Sequence, residues 1–267
     1  RGRLRRVRVA HVLGQLRRTD AVPALCARLS DPDGEVRNAA ARALGDIGAA
    51  AATTALIGSL SGQRAVPARL VADALLRIGP ATAADLVTAL RHPDPLVQMS
   101  AADVLGHLGT VAAGAPLAAL LLDSDSTEVR MHAATALGRL GLPQALTPLL
   151  TALSLDDTAE VRATAAAALG ALSDDAAIET LPAGVETADD PVANSNAHAL
   201  ALLGEAGLAV LQLIALNHSL TADTPGHAAG HAREALSLYA VQQRRRVLPA
   251  GPAATGSSSG SGTGSWR

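Results

Sequence analysis

Lysine and phenylalanine are absent from the 267 residues, and cysteine, tryptophan and tyrosine occur once each. Without lysine there is no Walker-type phosphate loop, whose ammonium must reach the nucleotide phosphates. A single cysteine, Cys26, excludes an intramolecular disulfide framework and any thiolate metal cluster. Its apolar helical setting points to a packed thiol, and a reducing cytoplasm fits such usage. With Tyr239 and Trp266 the only aromatic side chains, the stacking platforms on which proteins hold nucleobases are missing. Long apolar runs are missing too. Residues 115–122 and 208–216 are the longest, far short of the roughly 20 residues of a membrane helix. These absences together predict a soluble, cytoplasmic chain without a membrane partner. Formal charge is −2, from 22 basic and 24 acidic residues, so no global field draws polyanions. All the basic residues are arginine and the bulk is Ala, Gly and Leu, a bias expected of high-GC bacterial coding.

What is present is repetition. A ten-residue phrase reads Val36-Arg37…Ala40…Ala43-Leu44-Gly45, and returns at Val129 to Gly138 and at Val161 to Gly170. Aligned on its last position, the phrase ends at Gly14, Gly45, Leu76, Gly106, Gly138, Gly170, Gly204 and Ser237, a period of about 32. A steady period in this range marks stacked helical units that bury their apolar faces only against neighbours.

Within one copy, Val36, Ala40, Ala43, Leu44 and Ile47 fall on a single helical stripe. Asp33, Asp94, Ser126 and Thr158 stand three residues before each phrase and are competent N-caps. Glu35, Glu128 and Glu160 follow in the first turn, where negative charge suits the helix dipole. Gly48, Gly79, Gly109 and Gly141 are placed as left-handed terminators. The phrase forms the second helix of the unit, and another apolar helix, the first, precedes it over 21–29, 50–60, 81–91, 111–122, 144–153, 176–185 and 208–216. The unit is therefore helix, turn, helix, and its abundant alanines let helices approach closely.

Asp, then Val-Arg, then Ala-Ala-x-Ala-Leu-Gly-x-Leu/Ile-Gly, resembles the HEAT-like repeats first recognised in phycobilisome lyase subunits. The resemblance covers roughly residues 1 to 245. It implies an all-α, right-handed α-solenoid of about eight repeats, with the second helices on the concave side. It also implies that the phrase arginine, here Arg37, Arg130 and Arg162, ties repeats together, through loop acids such as Asp31, Asp123 and Asp156. Three copies depart from the phrase: Pro67-Ala68, Val97-Gln98 and Ser195-Asn196 replace Val-Arg. The first copy has its second helix, over 5–16, without a first helix before it, and the chain opens on Arg1, so a truncated first repeat is expected. The array spans 1–247, and a Gly/Ser-rich tail or linker follows over 248–267.

Few motifs in the chain carry chemistry. Gly256 to Gly260 matches the Gly-x-Ser-x-Gly elbow, but a Ser/Gly run cannot supply the strained strand-to-helix turn the motif needs. His227, His231 and Glu234 share one helical face and form the one candidate metal set, against the plainer reading of a solvated face. The resemblance extends to deoxyhypusine hydroxylase, which binds iron through His-Glu dipeptides, yet none of the eight histidines precedes a glutamate. No cofactor is expected.

Repeat alignment places Glu35, Arg42, Asp46, Arg69, Asp73, Arg77, Asp103, His107, His132 and Arg139 beside the apolar stripe, as a mixed-sign concave face. This face is either a groove for a protein or peptide partner, selected by charge, or an ordinary solvated surface. The corresponding positions Thr164, Ala167 and Ala171 are uncharged, so charge-selective binding is expected in the N-terminal half. Seven arginines in the first 18 residues raise nucleic-acid contact, and the aromatic shortage argues against it. The leading expectation is a non-enzymatic scaffold or adaptor. Its rival, carried by the resemblance, is a bilin lyase-like subunit acting on a phycobiliprotein-type partner.

Overall fold

The computed structural model describes residues 2–172, 175–186, 190–220 and 227–247. The tail from residue 248 and the side chain of His227 lie outside the described residues. Fifteen α-helices and five short 3₁₀ turns make up the described residues, with no strand among them. Odd-numbered helices carry the phrase: α1 (Gly2–Gln15), α3 (Gly34–Ile47), α5 (Ala68–Ile78), α7 (Pro95–Leu108), α9 (Thr127–Leu140), α11 (Ala159–Leu172), α13 (Asp190–Leu202) and α15 (His227–Val247). Even-numbered helices precede them: α2 (Val22–Arg28), α4 (Thr53–Gly58), α6 (Ala83–Ala89), α8 (Gly114–Asp123), α10 (Leu146–Leu155), α12 (Asp175–Val185) and α14 (Glu205–Leu220).

The starts of α3, α7 and α9 follow from capping chemistry. Asp33 and Asp94 accept the N–H of Glu35 and Leu96 at 2.9 and 3.0 Å, and Ser126 accepts that of Val129 at 3.4 Å. The hydroxyl of Thr158 accepts instead from Arg130, at 3.0 Å. Gly48, Gly109 and Gly141 close their helices in the left-handed region, each returning an N–H to the carbonyl four residues back. Gly79 departs from that expectation, with φ 85° and ψ −153°. Pro80 follows it, and the proline ring disfavours a helical ψ at the preceding residue. The first helices α2, α4, α6, α8 and α10 are each entered through a 3₁₀ turn, as at Pro80–Thr82 and Pro143–Ala145, so the α-helical part starts later than periodicity indicates.

Closeness replaces bulk in the core. A Cβ placed on Gly14, Gly45, Gly106 or Gly138 would lie 2.8–2.9 Å from the Cα of Ala43, Ala74, Ala136 or Ala168, respectively. Neighbouring odd helices thus touch backbone to backbone, near the lower end of the roughly 8–10 Å range of helix packing. The even helices meet one another only lightly. When one layer of a stack is tighter than the other, the stack curves toward it, so the odd helices form the concave wall. Between α5 and α7, Leu76 occupies the glycine position and Val104 the alanine position, and those helices pack less extensively.

One sequence expectation requires correction. α13 buries Asn196, Ala197, Ala199, Leu200 and Ala201, the same places, counted from the helix start, that α11 buries as Ala165, Ala166, Ala168, Leu169 and Gly170. The phrase therefore ends at Ala201, and Val192-Ala193 stands where Val-Arg was sought at Ser195-Asn196. Gly204, with φ 76°, is this copy's counterpart of Gly48. Ser195 and Asn196 turn their side chains back to the carbonyls of Pro191 and Val192, each at 2.8 Å.

Candidate functional site: the concave face of the odd helices

The position after each phrase glycine, and those three, six, seven and ten residues before it, face the concave side. Two depressions lie there. One, of about 540 Å³, opens among α1, α3 and α5 and is lined by the side chains of His11, Gln15, Arg17, Asp46 and Arg77 together with Gly14, Gly45, Ile47 and Gly48. The other, of about 320 Å³, opens among α7, α9 and α11 and is lined by Asp103, Glu128, Met131, His132, Thr135, Arg139 and Thr164.

The structure draws many of the charged residues into pairs across repeats. Arg77 is paired with Asp46 of the preceding odd helix, and its other terminal nitrogen stands 3.1 Å from Asp73, one turn back on α5. Asp103 of α7 accepts a hydrogen bond from His132 of α9, Nδ1 to Oδ1 at 2.9 Å, with Arg139 at 3.8 Å. That hydrogen bond raises the pKa of His132 above its ordinary value, while partial burial and Arg139 oppose the rise. His107 is exposed and donates to the Asp103 carbonyl one turn back on its own helix, at 2.8 Å. Glu35, Arg42 and Arg69 are exposed and form no ion pair. His11, Met131 and Thr135 are not among the residues the sequence places on this face, and Glu128 is read there only as a first-turn acid. They occupy the same phrase positions as residues that are, so alignment of every copy, uncharged ones included, would have found them.

The phrase arginines divide into two behaviours. Arg130 spans the joint to the next repeat, with Nε 2.8 Å and a terminal nitrogen 3.0 Å from the two Asp156 oxygens. It also donates to the Ser124 carbonyl at 2.9 Å. Its partner is not Asp123, which is exposed. The pairing holds the Arg130 guanidinium pKa above its usual value. Arg6, the same position in the first copy, meets Asp31 of the next loop at 3.2 Å. Arg37 and Arg162 donate instead within their own loops, to the carbonyls of Asp31 and Asp156, both at 2.8 Å, and each leaves its Nε buried without a hydrogen-bond partner. The loop after Arg37 carries Ser61-Gly62-Gln63 where an aspartate would be needed.

At the other end of the array, His231 lies against α13, 2.5 Å from Asn194 Oδ1 and 3.3 Å from Asp190 Oδ1. It joins two repeats instead of facing solvent, and Glu234 is exposed. Among the described residues no group of three or more His, Cys, Asp or Glu is placed to hold a metal ion. No helix in them is long and apolar enough to cross a membrane. Cys26 is half-buried, and burial pushes its thiol pKa up.

A search of curated proteins finds no match. Among solved structures, human deoxyhypusine hydroxylase in complex with glycerol is 25% identical over 75% of this chain and 79% of its own, with a TM-score of 0.41. The CpcE–CpcF complex of phycocyanin lyase from Nostoc is 21% identical over 82% of this chain and 94% of that one, TM-score 0.44. Kap95p, solved in a study of its binding to RanGDP, is 12% identical, and the match spans 81% of this chain and 36% of Kap95p. Its TM-score of 0.51 marks a shared fold. The family model for HEAT repeats matches residues 4–75, 63–137 and 114–202. With the phrase, its caps and the stacked helix pairs in agreement over that span, this chain belongs to the HEAT-repeat family and folds as a right-handed α-solenoid.

Proposed function

We propose that the protein is a non-enzymatic scaffold that holds a protein or peptide segment along the concave wall of α1 to α11. One observation carries this reading: the polar side chains His11, Gln15, Asp46, Arg77, Asp103, His132 and Arg139, which line the two depressions of this wall beside the repeated Gly14, Gly45, Ile47, Gly48 and Glu128, differ from copy to copy, while most repeated residues are spent on caps, core and joints. A surface that is individual at every repeat, on a scaffold that is uniform, suits recognition of an extended partner. The hydroxyls beside the His132–Asp103 pair support the same reading. Thr135 and Thr164 donate to the helix carbonyls of Met131 and Glu160, at 2.9 and 2.7 Å, and are not aimed at the imidazole. Partner choice along such a wall rests on complementary charge and shape.

A photo-crosslinking side chain placed at Thr135, on the concave wall, and at the exposed Ala119 of α8, on the opposite layer, tests the reading in cells. The expected outcome is a protein adduct at Thr135 and none at Ala119. Adducts confined to Ala119 would remove the concave wall from consideration.

A further inference from the structure

Resting on that reading, we infer that the segment held at the N-terminal end of the groove is acidic and extended. The charges of this end are unevenly used. Asp46 and Asp73 are both turned to Arg77, and Asp103 is taken by His132 and Arg139. Arg8, Arg42 and Arg69, one on each of α1, α3 and α5, are exposed and have neither an ion pair nor a side-chain hydrogen bond. Glu35 is the one acid of these three helices' concave rows left without a cation, and it sits in the first turn of α3, where the helix dipole offsets it. Counting Arg8, Arg17, Arg42, Arg69 and Arg77 against Glu35, Asp46 and Asp73 leaves an excess of two positive charges, five less three, on this stretch.

An unpaired guanidinium keeps its planar fork free for a carboxylate, which it binds bidentately. The three lie on successive helices whose axes stand roughly 8–10 Å apart, at different heights along them, so carboxylates about three or more residues apart on an extended chain rising about 3.3 Å per residue span them. Beyond α9 the wall changes character. Ala163, Ala167 and Ala171 are exposed on α11, and the one charged residue of its concave rows is the acid Glu160, so the same segment finds no cation there. A nucleic-acid strand fits less well. Its continuous phosphate charge would pass Asp46, Asp73 and Asp103, and no aromatic side chain lies on the wall to stack a base.

The test uses the full chain and fluorescence anisotropy, with a labelled glutamate-rich peptide of about 12 residues, long enough to cross four helices. A glutamine-rich peptide of the same length and a single-stranded DNA of equal charge serve as comparison probes. The glutamate peptide should bind and the glutamine peptide should not. Binding should weaken by about tenfold or more in R42E/R69E, where attraction becomes repulsion, and should fall as salt rises from about 50 to 200 mM. The double variant R64E/R91E makes the same charge change at exposed residues away from the wall and should bind as the parent does. Circular dichroism and urea midpoints confirm that each variant is folded. Equal weakening in both double variants, or tighter binding of the DNA, would overturn the inference. Failure of the glutamate peptide to bind, with the Thr135 adduct retained, would remove the acidic partner and leave the groove standing.

Discussion

Arg130 and Asp156 face each other across a repeat joint, 2.8 Å apart, and their side chains retain only 11% and 8% of their exposure. The guanidinium meets both carboxylate oxygens and also caps its own loop at Ser124. Arg130→Met leaves the Asp156 carboxylate without its cation in a largely buried site. A loss of about 3–5 kcal/mol of stability is expected from breaking such a pair. Arg37→Met, which removes only bonds to carbonyls of its own loop, should cost clearly less. Urea unfolding of the two variants checks the order, and an equal or larger cost at Arg37 would contradict the assignment of the joint to Arg130.

The pair of Arg77 and Asp46 also spans a joint, but half of the Arg77 side chain is exposed. Solvent screens such a pair, and exposed ion pairs contribute about 0–1 kcal/mol. Arg77→Ala should therefore shift the urea midpoint little, and a loss comparable with that of Arg130→Met would show that the concave wall is structural.

Backbone contact at Gly138 makes a sharper demand. Alanine is the better helix former by about 0.8–1 kcal/mol, yet its Cβ would stand 2.8 Å from the Ala168 backbone. Overpacking of this kind costs about 1–3 kcal/mol, so Gly138→Ala should be a net loss. Gly230 in α15 has nothing within 4 Å of its would-be Cβ, and there the same substitution should be a gain. Thermal unfolding should move in opposite directions for the two variants.

His132 supplies a pH dependence. Its folded-state pKa is raised by the bond to Asp103 above the ordinary value of 6.5. A raised pKa means that the folded state holds the proton more tightly than the unfolded state. The stabilisation is complete below about 6.5 and is lost as pH rises through the folded value. The stability difference between the parent and His132→Gln should therefore shrink between acid and alkaline pH, as read by urea unfolding across that range. A difference that grows with pH would reverse the sign and refute the assignment.

Much of this architecture was legible because it is local. Asp33, Asp94 and Ser126 announce helix starts through hydrogen bonds made within three residues, and Gly48, Gly109 and Gly141 announce ends through one backbone dihedral. The seventh copy was misread for the opposite reason. Gly204 and the phrase glycine are the same letter, and it takes burial along α13 and the positive φ of Gly204 to show that Ala201 takes the phrase position. The 3₁₀ entries were missed because apolar spacing over three residues does not separate an α-helical turn from a tighter one.

The concave face was legible as a set of rows but not as a set of interactions. Repeat alignment placed Asp46, Arg77, Asp103 and His132 on one side. The i, i+4 spacing of Asp73 and Arg77 made their pair legible, but alignment could not tell that Arg77 would be shared with Asp46 of the neighbouring repeat while Arg42 and Arg69 stayed unpaired. Nor could it divide Arg130 from Arg37, since the difference lies in the next loop, where Asp156 is present in one case and Gly62 stands in the other.

By itself, then, the sequence determined the unit, its period, its two helices and the small residues that let the units stack, because each depends on contacts within a turn or on a position repeated every 30 or so residues. Tertiary structure decided the curvature, which follows from how much closer Gly14, Gly45, Gly106 and Gly138 bring the odd helices than the even ones come. It also decided which charges are paired across the joints and which are left to face a partner, since pairing depends on distances between side chains about 30 residues apart that no single copy specifies.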